Sequence, residues 1–97
     1  MPLTVIKNEL TAKFTQGIIK QIRNGIDDDF VIEYDEDPSL TDMLYWSNEC
    51  DWECDTTINS GFAKDGITWT FDSEKELGEF LLLFSLKWGN QTDVSFA

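Results

Sequence analysis

The chain contains no histidine. Histidine is the usual general base near neutral pH and the usual metal-ligating side chain, so the simplest routes to acid–base catalysis and to a metal centre are closed. Cysteine is scarce: Cys50 and Cys54 form a C-x3-C pair. Zinc takes four ligands, and without histidine these two thiolates would have to recruit carboxylates or a second subunit. The flanking Asp51, Glu53 and Asp55 disfavour the thiolate and make both thiols poor nucleophiles. A reduced, structural pair is the expectation in a cytosolic setting. No glycine-rich phosphate loop and no nucleophile elbow occurs. Long apolar runs are missing as well. The longest, Phe80 to Phe84, is far too short to span a bilayer, and the N-terminus has no basic stretch followed by an apolar one. The expected location is the cytoplasm, with no membrane role, no cofactor, no bound metal and no enzymatic activity.

Positive charge is absent from a long stretch. No Lys or Arg occurs between Arg23 and Lys64. Inside that gap the segment DDDFVIEYDEDPSLTDMLYWSNECDWECD, Asp27 to Asp55, carries 12 of the 19 acidic residues. Outside it, seven acids stand against seven bases, so the net charge of -12 resides in this window. Disordered acidic segments lack aromatic and β-branched residues, whereas this one holds Phe30, Val31, Ile32, Tyr34, Tyr45, Trp46 and Trp52. A folded, one-signed surface is therefore expected, acting on partners through its field. The carboxylates lack the spacing of an EF-hand loop, and no pair stands out as a catalytic acid and base.

Ninety-seven residues, with four Trp and seven Phe among them, suit a single small domain with a modest core of large side chains. LTVIK, residues 3–7, reads as a strand. Leu10, Phe14, Ile18 and Ile22 recur every four residues and predict a helix over 9–23, with Asn8 as its cap and Asn24-Gly25 as its stop. FVIEY, residues 30–34, reads as a strand. Pro38 at a first helical position, with Asp37 as cap, predicts a short helix over 39–47. Residues 56–62 and 66–71 read as a hairpin turning at Ala63 to Gly66, because Asp-Gly is a strong hairpin signal. A helix over 73–88 follows, capped by Asp72 or Ser73. Leu77, Phe80, Leu81, Phe84 and Trp88 share one face, Leu82, Leu83 and Leu86 broaden it, and Gly89 stops it. Residues 93–97 suggest a last edge strand. The fold class expected is α+β: a small single domain with a four- or five-stranded antiparallel or mixed sheet packed against two or three helices. Leu77, Phe80, Leu81 and Phe84 should pack on Ile32, Ile67 and Trp69.

The strand–helix unit GITWTFDSEKELGEFLLLFSLKWG resembles the C-terminal segment of some small uncharacterised bacteriophage proteins. They share an aromatic strand, an acidic helix start and a Phe/Leu-rich helix closing on a basic residue, Trp and Gly. The resemblance covers 24 of 97 residues. Small acidic phage proteins include inhibitors that mimic nucleic acid and occupy host enzymes, so the resemblance implies a phage-encoded inhibitor acting in the host cytoplasm. It carries over no site residue.

The candidate partner-binding residues are Asp27, Asp28, Asp29, Glu33, Asp35, Glu36, Asp37, Asp42, Trp46, Glu49, Asp51, Trp52, Glu53 and Asp55. Carboxylates on a rigid surface can meet Lys and Arg that otherwise contact nucleic-acid phosphates. The expected partner is a basic protein surface, such as that of a nucleic-acid-binding protein, with no direct binding to nucleic acid. The same face could instead serve only solubility, or dock a basic partner permanently in an assembly, and the composition is also compatible with a homodimer. Trp46 and Trp52 are interface anchors if exposed and core residues if buried, the commoner fate of a lone aromatic.

Overall fold

The computed structural model describes residues 2–16, 18–24, 29–34, 38–57 and 65–97, with 18–24 and 29–34 described as paired backbone. The architecture is α+β. Among the described residues it consists of a five-stranded mixed sheet, two helices and a separate two-stranded ribbon. In chain order the elements are β1 (Pro2–Ile6), a single 3-10 turn (Lys7–Glu9), β2 (Thr11–Gln16), β3 (Ile18–Asn24), β4 (Asp29–Tyr34), α1 (Leu40–Glu49), β5 (Cys54–Thr57), β6 (Asp65–Thr70), α2 (Glu74–Trp88) and β7 (Asp93–Phe96).

The sheet runs β5-β6-β2-β1-β7. Every neighbouring pair is antiparallel except β1 and β7, which are parallel. α2 therefore carries the chain from β6 across β2 and β1 to the far edge. Register puts one residue in two on the helix side: Leu3 pairs with Phe14 and Phe14 with Ile67, while Val5 pairs with Ala12 and Ala12 with Trp69. All six are buried. The opposite face shows Thr4, Lys13, Thr15 and Thr70 at half-buried or exposed positions. That alternation is the pattern of a sheet with one solvated face.

The helix expected over 9–23 does not form; two strands, β2 and β3, occupy that span. The reason lies in the spacing. Four is a multiple of the strand period of two, so Leu10, Phe14, Ile18 and Ile22 fall on one face of a strand as readily as on one face of a helix. The residues between them decide it. Ala12 and Gln16 continue the buried alternation, and Thr11, Thr15, Ile18, Ile19 and Ile22 are β-branched. Asn8 lies in the turn of the β1–β2 hairpin, which Leu10 closes in the left-handed region with φ 53°. The strand over 30–34 is β4, paired with β3 and not with the five-stranded sheet. Ile32 thus stands outside the sheet that α2 packs on.

The C-terminal elements follow the sequence closely. Ser73 caps α2, its hydroxyl accepting the Glu76 N–H at 3.2 Å. At Gly89 a Cβ would run into the Ser85 carbonyl. Leu77, Phe80, Phe84 and Trp88 are buried, and Leu81 is half-buried. Phe80 is the hub: its ring lies 4.9 Å from Trp69, 4.9 Å from Phe71 and 5.6 Å from Trp52. Leu82, Leu83 and Leu86, by contrast, are exposed and do not broaden the buried face. The Asp65-Gly66 pair is not a turn. Both residues belong to β6, pairing with Gln16 and Thr15, and the rest of the expected turn, with the strand expected over 58–62, lies outside the described residues. No helix among the described residues is long and apolar enough to cross a membrane.

Candidate functional site

The exit from α1 builds the most distinctive concavity. The helix begins two residues later than its proline suggests. Ser39, not Asp37, is the cap, in a reciprocal capping box with Asp42: Asp42 N–H donates to Ser39 Oγ at 3.3 Å, and Ser39 N–H donates to Asp42 Oδ2 at 2.9 Å. It ends in a Schellman motif. The Trp52 N–H bonds the Ser47 carbonyl at 2.9 Å and the Asp51 N–H bonds the Asn48 carbonyl at 3.4 Å, with Asp51 left-handed at φ 58°. Glycine is the common residue at that position, because a side chain there costs roughly 1 kcal/mol. Here it is an aspartate, and the motif aims the next residue, Trp52, back over the core. The Trp52 ring stands edge-on to Phe71 and Phe80 at 5.7 and 5.6 Å. Its Nε1 is buried without a hydrogen-bond partner.

Around Trp52 lies a groove of about 250 Å³ lined by Asp51, Glu53, Asp72, Glu76 and Glu79 together with Trp52, Thr70 and Phe71. A second groove of about 390 Å³ shares Trp52, Glu53 and Thr70 and adds Asn48, Cys54 and Asp55. Six carboxylates line the two, and among the described residues no Lys or Arg does. Glu76 is held in place, since its carboxylate accepts the Asp72 N–H at 3.1 Å. Strand β5, the end of β6 and the first turns of α2 thus converge on one acidic, aromatic-floored concavity.

The predicted site residues separate on this frame. Asp51, Glu53 and Asp55 are exposed, and Trp52 is half-buried in the grooves. Asp42 is exposed, but its carboxylate is engaged in the helix cap. Glu49 is exposed in another groove, beside Asp42, Tyr45 and Lys87. Trp46 belongs to the core: 7% exposed, it meets Phe80, Phe84 and Trp88 at 5.5, 5.9 and 4.9 Å. Its spacing after Met43 on the buried side of α1 explains this. Asp29 and Glu33 lie on β4, opposite Asn24 and Lys20. Asp27, Asp28, Asp35, Glu36 and Asp37 lie outside the described residues.

Asp72, Glu76 and Glu79 are the groove residues that the charge argument missed. Pooling everything outside 27–55 gave neutrality only because a basic N-terminal segment cancels an acidic C-terminal one. Residues 65–97 hold six carboxylates against two lysines, and that imbalance was the usable signal.

Cys50 and Cys54 are free thiols. Burial, and then the Asp55 carboxylate, push the Cys54 thiol above its ordinary pKa, with a hydrogen bond to Ser47 opposing them. Cys54 is thus a protonated, unreactive group at neutral pH. Among the described residues no three His, Cys, Asp or Glu side chains are placed to hold a metal ion. Comparison with protein-family models, curated proteins and solved structures finds no match for this chain.

Proposed function

We propose that this chain is a non-enzymatic acidic binding protein that occupies a basic surface of a partner, and that the groove around Trp52 is where it does so. The observation that carries the reading is the composition of that groove among the described residues: five carboxylates, two aromatic rings and no Lys or Arg. A guanidinium suits such a place, because it pairs with carboxylates through a planar fork and stacks on an indole. Carboxylates on rigid elements offer to Arg and Lys what nucleic-acid phosphates offer. A nucleic-acid-binding protein is therefore the partner class, and competition with its nucleic acid the mode of action. Inhibition of a host protein by a phage-encoded mimic is the biological form that the sequence resemblance favours.

The test is a titration of isotope-labelled protein with a capped oligo-arginine peptide, followed by amide and indole chemical shifts. The reading expects saturable shifts at Asp51, Trp52, Glu53, Asp72, Glu76 and Glu79, diminished by added salt. Small, unsaturable shifts spread over all acidic positions would reduce the acidity to a solubility device.

A further inference from the structure

We propose that two copies of this chain associate edge to edge through β7, antiparallel about a two-fold axis at Ser95. This edge lies across the sheet from the acidic groove, and the inference does not depend on the groove reading.

The first observation is a free edge. β7 ends the sheet, and among the described residues no strand pairs with its outer side. Its inner side is fixed by the register of Leu3 with Val94 and Val5 with Phe96, and by the Ala97 N–H, which donates to the Val5 carbonyl at 2.8 Å. Backbone groups alternate in direction along a strand. Asp93, Ser95 and Ala97 therefore turn theirs to β1, and Val94 and Phe96 turn theirs outward. Unpaired groups of this kind are a template for another strand, so the occupant is an extended backbone.

The second observation is that β7 is its own complement. With Ser95 of one copy opposite Ser95 of the other, each Val94 falls opposite a Phe96. Every outward N–H and C=O of Asp93–Phe96 then finds a partner, in four hydrogen bonds. No other antiparallel register of the strand on itself pairs them all. A two-fold contact needs a surface complementary to itself, and this register supplies one. Third, the side chains agree. Val94 and Phe96 lie on the helix side of the sheet, with their β1 partners Leu3 and Val5. Phe96 is 70% exposed and borders an apolar groove of about 260 Å³ together with Val5, Leu77 and Leu81. Val94 of the second copy lands beside that bare ring on the same face, as a cross-strand pair. Charge does not oppose the contact. Asp93 is the one charged residue of β7, and its two copies stand about 13 Å apart along the strands, beyond the screening length of about 8 Å. At the other end of the sheet β5 carries Asp55, two residues after Glu53; charges on an edge strand guard against pairing, and Val94 to Phe96 have none.

The experiment is sedimentation equilibrium over a range of protein concentrations, at physiological and at high ionic strength. It compares the natural chain with Ser95→Asp and Phe96→Pro. The natural chain should dimerise, and more strongly at high salt, because screening relieves the repulsion between two copies of net charge -12. Ser95→Asp sets two carboxylates against each other at the axis, on the exposed side of the strand, and should weaken the dimer at least about tenfold. Phe96→Pro removes an outward N–H and the exposed ring while leaving the bonds to β1 in place, and should give a monomer. Both variants should keep the circular dichroism of the natural chain. Register is read by cross-linking, in a background with Cys50 and Cys54 replaced by serine. Ser95→Cys should form a disulfide between copies under mild oxidation, since the Cα atoms of a non-hydrogen-bonded pair lie about 4.5 Å apart. Asp93→Cys, off the axis, should do so at least about tenfold more slowly. A monomer at every concentration would overturn the proposal and leave the edge to a strand from another protein. A dimer that Ser95→Asp leaves intact, or equal cross-linking at 93 and 95, would overturn it as well.

Discussion

The two helices cover the same face of the sheet by different means. α2 is held by packing. Four buried apolar side chains, three of them aromatic, lie on a sheet face that supplies Trp69 and Phe71. α1 is shorter: it buries Leu40, Met43 and Trp46 in the same core, and polar side chains from elsewhere in the chain clamp it as well. Gln16, fully buried on β2, donates from Nε2 to the Pro38 carbonyl at 3.1 Å and accepts the Leu40 N–H on Oε1 at 2.6 Å. Further along, Trp69 Nε1 donates to Ser47 Oγ at 2.8 Å, and Ser47 in turn donates to the Met43 carbonyl at 2.7 Å. An apolar stripe tolerates small shifts, but a fork of hydrogen bonds fixes position and rotation. The difference bears on function, because α1 must end where Asp51 and Trp52 can face the acidic start of α2.

Removing the hub of the packed helix should do most damage. Phe80→Ala should cost about 3–5 kcal/mol in urea unfolding, the usual range for a buried phenylalanine. Leu82→Ala on the exposed outer face should stay within about 0.5 kcal/mol. Equal losses from the two would dissolve the distinction between the faces of α2. The polar clamp comes next. Gln16→Leu leaves a buried carbonyl and a buried N–H without partners, so it should cost about 2–4 kcal/mol at nearly constant volume. Its signature is selective: hydrogen exchange should accelerate over 40–49 more than over 74–88. Uniform acceleration would show that Gln16 is merely packed. Ser39→Ala should cost about 1 kcal/mol through loss of the capping box, readable as a drop in melting temperature.

The smallest effect concerns Cys54. Its folded-state pKa is raised, chiefly by burial, so the folded chain favours the neutral thiol. That contribution is fully present below the unfolded thiol pKa and fades as pH rises through the folded one. Alkylation of Cys54 by iodoacetamide at mildly alkaline pH should accordingly run slower than that of a free model thiol. A faster reaction would contradict the environment described.

How much of this was legible beforehand follows the same division. α2 and β6 could be read because their spacings are unambiguous: 77, 80, 81, 84 and 88 fit only a helix, and 67, 69 and 71 only a strand. The span 9–23 could not be read from its large apolar residues, since a spacing of four fits both periods. Ala12 and Gln16 held the answer, one small and one polar. Nothing local marks Gln16 as a buried clamp, because its partners lie 22 and 24 residues away. Within the candidate site, Asp51, Trp52, Glu53 and Asp55 came from the acidic run, while Asp72, Glu76 and Glu79 joined them only through folding, as β5, β6 and α2 meet. Trp46 and Trp52 sit six residues apart in the same run. One faces the core and the other the groove because a Schellman turn lies between them.

The central claim is that affinity for a basic partner resides in this groove and not in net charge. The most direct measurement compares two double variants that remove the same charge. Asp51→Gly with Glu76→Gln strips the groove, and the glycine suits the left-handed backbone at position 51. Glu9→Gln with Asp93→Asn removes two exposed carboxylates that line neither groove. Binding of a capped oligo-arginine peptide is then measured by calorimetry at low and at physiological ionic strength. The groove variant should lose about tenfold or more in affinity, roughly 1.4 kcal/mol, while the control loses no more than about twofold. Equal losses in the two variants would contradict the account and leave only a diffuse acidic field.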